Sequence, residues 1–434
     1  MSTYEIEDHA DAAFDRVPAE IWGEVFLLTV GVDSFDVARR DGGPWALSQV
    51  RSNWRAIAFS LPRLWTNFDL YAGSTDSGKL RYLCYLLNEV LLRSAPHPVE
   101  FTIAIIDDDA GFAVLPRLVS VMARWRHISI YAPRNAFTFL ASYIRITLDL
   151  VSGSPMEVMG CLESVEFREA SKFYAAWVWD SQGIFEPALN LREVDMAGLW
   201  ARDLPYGRLT ALSVDGKLGL ADAMSLLRDG HQLHELKMPG GLLEDTEELH
   251  RLQLHVLVHH AVQVLQIHEP AILRFFRVPS LIELGIVQCI LWDPYTNEFA
   301  TIATFLSHSP ALQTITMTVD WFDLGHITDD LTSQMPQLQC LRLNVRCNDG
   351  PEDASCIFVD LMKDVLPTLV ELVIDGNITL RAEKLAAMLN HRSMIGPGLQ
   401  YVSLRCADFL ASDIECEVLQ QMTEDGLELD IDGK

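Results

Sequence analysis

Histidines supply the densest set of reactive side chains in this 434-residue chain. His255 and His259 stand one helical turn apart with His260 and His268 close behind, the spacing that zinc ligands on a helix would use. The intervening Val256-Leu257-Val258 contains no glutamate, so the general base of a metal-dependent hydrolase is missing. His234-Glu235 fails as a second start, because Met238 holds the place of the second histidine. Eight cysteines are scattered without one Cys-x-x-Cys pair, which predicts free buried thiols rather than disulfides or a zinc site. Asn377-Ile378-Thr379 spells a glycosylation acceptor, meaningful only in a secretory compartment. Phosphate loops, nucleophile elbows, dinucleotide fingerprints and calcium loops cannot be read. The expectation is therefore no catalytic centre, no cofactor and no metal, and attention passes to binding.

Composition narrows the partners. Apolar residues make up 49% and charged residues 21%, far from the polar, highly charged composition of disordered chains. A net charge of -27 repels phosphate backbones, so nucleic acid is not expected, whereas a protein with a basic patch would be steered in. No apolar run reaches the roughly 18 residues of a membrane span. The N-terminus carries Glu5, Glu7, Asp8 and Asp11 where a secretory signal needs a basic start, so the chain is expected in the cytoplasm or nucleus.

Binding residues need a frame, and a repeat supplies one. The pattern apolar-x-x-apolar-x-apolar recurs at Leu162/Val165/Phe167, Leu191/Val194/Met196, Leu209/Leu212/Val214, Leu233/Leu236/Met238 and Val262/Leu265/Ile267. It continues at Leu281/Leu284/Ile286, Leu312/Ile315/Met317, Leu338/Leu341/Leu343, Leu369/Leu372/Ile374 and Leu399/Val402/Leu404. Pro279, Pro310, Pro336, Pro367 and Pro397 each stand two residues before the first Leu of a triplet. From Leu281 the intervals are 31, 26, 31 and 30 residues, long enough for a strand and a helix. Helical spacing fills them at Phe299 to Leu306, Ile357 to Leu366 and Leu385 to Leu389, each helix stopping near its proline. Before about residue 280 the spacing shortens, to 18 between Leu191 and Leu209, and an irregular array is expected. At the end, Ser412 and Glu415 have capping-box spacing, and Leu427, Leu429 and Ile431 alternate as a last strand.

These residues resemble leucine-rich repeats: Leu281, Leu284, Ile286, Cys289 and Leu291 match the whole repeat pattern, and Asn377 takes the Asn place after Leu369, Leu372 and Ile374. The resemblance implies a solenoid in which each strand and helix is covered only when the next unit stacks. Positions beside the buried leucines would face the concave surface, which singles out Lys237, Gln266, His268, Arg342, Asn344, Glu371, Asp375, Tyr401 and Arg405 as candidate contacts to a protein substrate.

Residues 14 to 70 have another texture. Ile21, Val25 and Leu28 follow helical spacing, a Gly/Asp-rich insert runs from Gly31 to Pro44, and Leu47, Val50, Trp54, Ile57 and Ala58 follow. Pro18 suits a helix start. The order Val17-Pro18-Ala19-Glu20-Ile21, Val25-Phe26-Leu27, Leu47-Ser48-Gln49-Val50, Trp54-Arg55 and Leu64-Trp65 is similar to the F-box, and Pro44 to Trp65 looks like F-box proteins of mushroom-forming fungi. Val17 stands where Leu is usual, and Arg51-Ser52-Asn53 replaces a more basic stretch. The resemblance implies an α/β chain with a small N-terminal helical F-box module followed by an irregular leucine-rich-repeat-like solenoid. Its parts would be an acidic tail (1–13), the module (14–70), a linker helix (71–97) and the solenoid (98–434). It also implies a Skp-type adaptor held through Val17, Pro18, Glu20, Ile21, Val25, Phe26, Leu47, Val50, Trp54, Leu64 and Trp65, and through it a cullin-RING ubiquitin ligase. The alternative is a repeat scaffold whose F-box has drifted and recruits no ligase.

Overall fold

The computed structural model of the protein describes residues 17–30, 33–73, 76–150, 158–170, 177–181, 183–201, 203–243, 255–289, 298–320, 335, 337–346, 352–361, 366–395, 398–406, 408–410 and 413–433. The acidic stretch 1–13, Leu291, Pro336, Met362, Val365, Pro397 and Ser412 lie outside the described residues. The chain divides into two compact units, Met1–Arg208 and Leu209–Lys434.

The first unit opens with three helices, α1 (Ala19–Val30), α2 (Gly43–Val50) and α3 (Ser52–Ser60). Six strands then pair in parallel, in sequence order: β1 (Phe35–Asp36), β2 (Asn67–Ala72), β3 (Val99–Ile105), β4 (Trp125–Ala132), β5 (Ser164–Glu169) and β6 (Glu193–Ala197). Between them run α4 (Ser77–Arg93), α5 (Asp108–Val119) and α6 (Arg134–Leu150). Parallel neighbours need such crossovers, because a tight turn can only reverse the chain. The starts of α4 and α5 are prepared locally: the Asp76 carboxylate accepts from Gly78 N–H at 2.8 Å, and that of Asp107 from Ala110 N–H at 2.7 Å.

Nine strands pair the same way in the second unit: β7 (Ala211–Asp215), β8 (Glu235–Met238), β9 (Val264–Ile267), β10 (Glu283–Cys289), β11 (Thr314–Asp320), β12 (Cys340–Arg346), β13 (Glu371–Gly376), β14 (Tyr401–Cys406) and β15 (Glu428–Gly433). Their crossovers include α7 (Leu220–Asp229), α8 (Glu298–Leu306), α9 (Cys356–Leu361), α10 (Ala382–Ile395) and α11 (Asp413–Glu424). A second, shorter parallel ladder joins Glu352–Asp353, Ile378–Arg381 and Asp408–Leu410. The fold is that of a leucine-rich-repeat-like solenoid, with strand and crossover repeated in order.

All ten apolar triplets behave alike. The first residue lies two before its strand and the other two lie within it, and all thirty side chains are buried, none more than 8% exposed. A shared backbone device sets this register. The carbonyl following the first apolar residue accepts two consecutive N–H groups of the next repeat: Gln263 O from Ile282 and Glu283, Ile282 O from Gln313 and Thr314, Gln313 O from Gln339 and Cys340, Gln339 O from Val370 and Glu371. Glu163, Thr210, His234 and Val370 do the same, with distances in the eight forks from 2.8 to 3.2 Å.

Several expectations change. Parallel pairing begins before residue 98, because Phe68, Leu70 and Ala72 point inward from β2 and pair with β3. The helix at 77–93 is the crossover from β2 to β3. The acidic Asp107-Asp108-Asp109 starts α5, since carboxylates favour a helix N-terminus. No full helix precedes Pro279: between β9 and Leu281 the chain holds only a 3-10 segment, Pro270–Phe275, and a two-residue strand. Asn377 is exposed after β13 and builds no buried ladder, because the chain turns outward there into Ile378–Arg381. Accordingly, Leu372→Ala should lower stability by about 2–5 kcal/mol, while Asn377→Ala should stay within about 0.5 kcal/mol. Denaturant midpoints of the two variants check this pair, and a large cost at Asn377 would restore its ladder role.

Candidate docking site

Two aromatic clusters hold the head of the first unit together. In one, Trp54 lies 5.0 Å from Trp22 and 4.9 Å from Phe26, fastening α1 to α3. In the other, Trp65 meets Trp45 edge-on at 4.7 Å, with Phe35 and Phe59 at about 6 Å, and its indole N–H donates to Ala58 O at 2.8 Å. The Arg93 guanidinium lies over Trp45, Phe59 and Trp65 at 5.3, 4.3 and 5.1 Å, so α4 closes the second cluster through cation–π contact.

These anchors decide which stripe of α1 is free. Gly23 and Phe26 face inward; at Gly23 a Cβ would come within 3.2 Å of Leu61, so the small residue lets the chain after α3 approach. Val17, Ile21, Val25 and Leu28, spaced four, four and three apart, form the opposite, exposed stripe, with Ile21 53% and Leu28 78% exposed. Val50 is exposed at the end of α2. An open cleft of about 260 Å³ is lined by Val17, Trp22, Trp54 and Ile57. Apolar stripes of this kind on a soluble surface mark protein contact sites.

The eleven candidates of the head divide accordingly. Val17, Pro18, Glu20, Ile21, Val25 and Val50 are exposed, Leu47 and Trp54 are half-buried, and Phe26, Leu64 and Trp65 are buried in the head's core. Leu28, Trp22 and Ile57 enter the surface in addition; Leu28 was legible as the next turn after Val25.

The candidate substrate contacts fall into two groups on the outward side of the second unit's strands. Lys237 and Gln266 stand opposite each other on β8 and β9, with His268 just beyond, its Nδ1 2.7 Å from Pro239 O. Arg342 and Asn344 on β12, Glu371 and Asp375 on β13, and Tyr401 and Arg405 on β14 form the other group: Glu371 faces Tyr401, and Asp375 faces both Asn344 and Arg405. Arg342 donates from Nε and Nη2 to one Glu371 oxygen at 3.0 and 2.9 Å. Under that pair lies Cys340, whose thiol is pushed up to about 12 by burial and then by Glu371, so it offers no thiolate. Cys84, Cys161, Cys340 and Cys406 are free.

The histidines do structural work. His259 is buried; its Nε2–H donates to Gly230 O at 3.0 Å, and its Nδ1 accepts from Ala261 and Val262 N–H at 3.3 Å. His255 and His260 are exposed. Among the described residues no group of three or more His, Cys, Asp or Glu could hold a metal ion, and no helix is long and apolar enough to cross a membrane.

No family model matches the sequence, and no curated protein matches it. Among solved structures the chain is similar to one of the complex of Rad7 and Elc1 in yeast, at 11% identity and a TM-score of 0.32, over 82% of this chain and 88% of that one. So distant a likeness carries nothing about partners or activity, and the fold stands on the strand pairing described above.

Burial, and then the nearby His260, His231 and His234, lower the pKa of His259 below its usual value. A lowered folded pKa means that the unfolded chain takes up the proton first, so stability is full above about pH 6.5 and declines as pH falls below it, by at most about 1.4 kcal/mol per unit for this group. Thermal unfolding between pH 7.5 and 5.5 should show that decline, and His259→Asn should flatten it; an equal slope in both proteins would refute the assignment.

Proposed function

We propose that this chain is a substrate receptor of a cullin-RING ubiquitin ligase: the head (residues 14–70) docks a Skp-type adaptor, and the outward strand face of the repeats holds a protein substrate. The exposed stripe Val17, Ile21, Val25 and Leu28 carries this reading, because its helix is already anchored by Trp22 and Phe26 on the other side. Ile21 and Leu28 keep most of their surface in water and Val17 and Val25 about a third of theirs, so a partner helix covering the stripe would remove apolar surface from water. The F-box-like order of Val17-Pro18-Ala19-Glu20-Ile21 through Leu64-Trp65 names the adaptor as that partner.

In this role the protein does no chemistry of its own; it brings substrate lysines near the ubiquitin carrier and contributes proximity. A substrate with basic segments suits the repeat face, where Glu371 and Asp375 on β13 and Glu428, Asp430 and Asp432 on β15 flank Arg405 on β14, with Arg342 already paired to Glu371. A receptor of this kind works in the cytoplasm or nucleus.

Co-purification and titration of the intact chain with a Skp-type adaptor test the reading. Ile21→Glu and Val25→Glu alter exposed positions and should leave the fold within about 0.5 kcal/mol, yet each should weaken adaptor binding by about tenfold to a hundredfold. Failure of the unaltered chain to bind any such adaptor, with its fold intact, would favour the scaffold with a drifted head.

A further inference from the structure

A second concavity of the first unit has a different chemistry. It encloses about 330 Å³ between α2, α3 and α4 and shares no lining residue with the apolar cleft beside the stripe. Three guanidinium groups, Arg40, Arg55 and Arg93, line it against one carboxylate, Glu89. Glu89 is already engaged, its Oε2 2.6 Å from Arg93 Nη2, so Arg40 and Arg55 leave the cleft cationic. In a chain of net charge -27 such a concentration runs against the bulk composition.

Two buried donors in the same wall point the same way. The indole N–H of Trp45, a residue only 6% exposed, has no acceptor, and neither has Arg93 Nη1. Buried N–H groups are nearly always hydrogen-bonded, since an unmet donor forfeits its hydration without return. The Arg93 Cζ lies 5.3 Å from the Trp45 ring centroid and 4.3 Å from that of Phe59, so cation–π contact keeps the guanidinium beside the indole. An acceptor-rich anion with several oxygens would meet the guanidiniums and the indole donor together, and charge-assisted bonds of this type are the strong ones.

We propose that this cleft binds a small oxyanion of the phosphate class, as free phosphate or as the phosphate group of a small ester, with Arg40 and Arg55 as the accessible contacts and Trp45 and Arg93 as the buried donors. The site is independent of adaptor docking: neither reading requires the other.

The test uses the full chain, titrated by calorimetry and tryptophan fluorescence with sodium pyrophosphate and sodium phosphate, and with sodium chloride at matched ionic strength. Saturable binding of a phosphate salt and none of chloride is expected. Arg40→Gln/Arg55→Gln should weaken it by about tenfold or more, and Trp45→Phe, which keeps an aromatic ring near Arg93 while removing the N–H with the indole's second ring, by about threefold or more. Should the double variant lose its fold, Arg40→Gln and Trp45→Phe alone decide the matter. Absence of saturable binding to the unaltered chain overturns the proposal, as does binding that Trp45→Phe and Arg40→Gln leave unchanged, which would put the anion elsewhere.

Discussion

The fold rests on one backbone interaction repeated: just before eight of the strands, a carbonyl takes two successive amides from the following repeat. In a parallel ladder the strands could slide by a residue, and such a slip would turn every inward leucine toward solvent. The fork prevents this, because its acceptor is the residue after the first apolar position, and its donors are the corresponding residues one repeat later. Leu281, Leu312, Leu338 and Leu369 therefore lie in one buried row, and the next two apolar positions of each triplet in two more. Everything facing the other way is left free to vary.

The ends of the crossovers are tied with similar economy. Trp65 and Trp125 each donate an indole N–H to a carbonyl seven residues earlier, Ala58 and Leu118, closing the passage from helix to strand. Arg124 and Arg392, both with pKa lowered by burial, point guanidinium groups at carbonyls near the ends of the preceding helices: Leu91 O for the first, Leu361 O and Leu366 O for the second. A cation suits that place, since the carbonyls of a helix C-terminus lack partners and carry its negative pole. Arg124 and Arg392 thus belong to the frame, whereas the exposed Arg405 lies on the strand face.

How far this could be read in advance follows from the physics of each element. The triplets were legible because a leucine row buried in a stack tolerates no polar substitute, and the prolines after Val278 and Ser309 mark the approach to the next strand. β2 was hidden because its alternation begins directly behind the Leu64-Trp65 close of the head, and apolar periodicity does not tell where one layer passes into another. α6 lies outside the triplet pattern: Ala136, Phe137, Leu140, Ala141 and Ile144 form its buried face, and Pro133 just before it is the one local mark of its start. Asn377 misled because a consensus letter says nothing of the turn that follows it, here an outward step into a second ladder.

The head shows the limit of pattern reading most directly. Along α1 two apolar stripes run side by side, Trp22 with Phe26 and Ile21 with Val25 and Leu28, and periodicity favours neither as the inward one. Packing decides, through Trp54 on α3: aromatic rings bury more area per residue than aliphatic side chains and gain from edge-on contact, so the stripe that meets Trp54 turns in. The aliphatic stripe is then exposed as a consequence of the tryptophans rather than of its own composition. A head whose core is completed by aromatic rings can present Ile21 and Leu28 to a partner without drawing on them for its own stability, and that separation is what a docking helix requires.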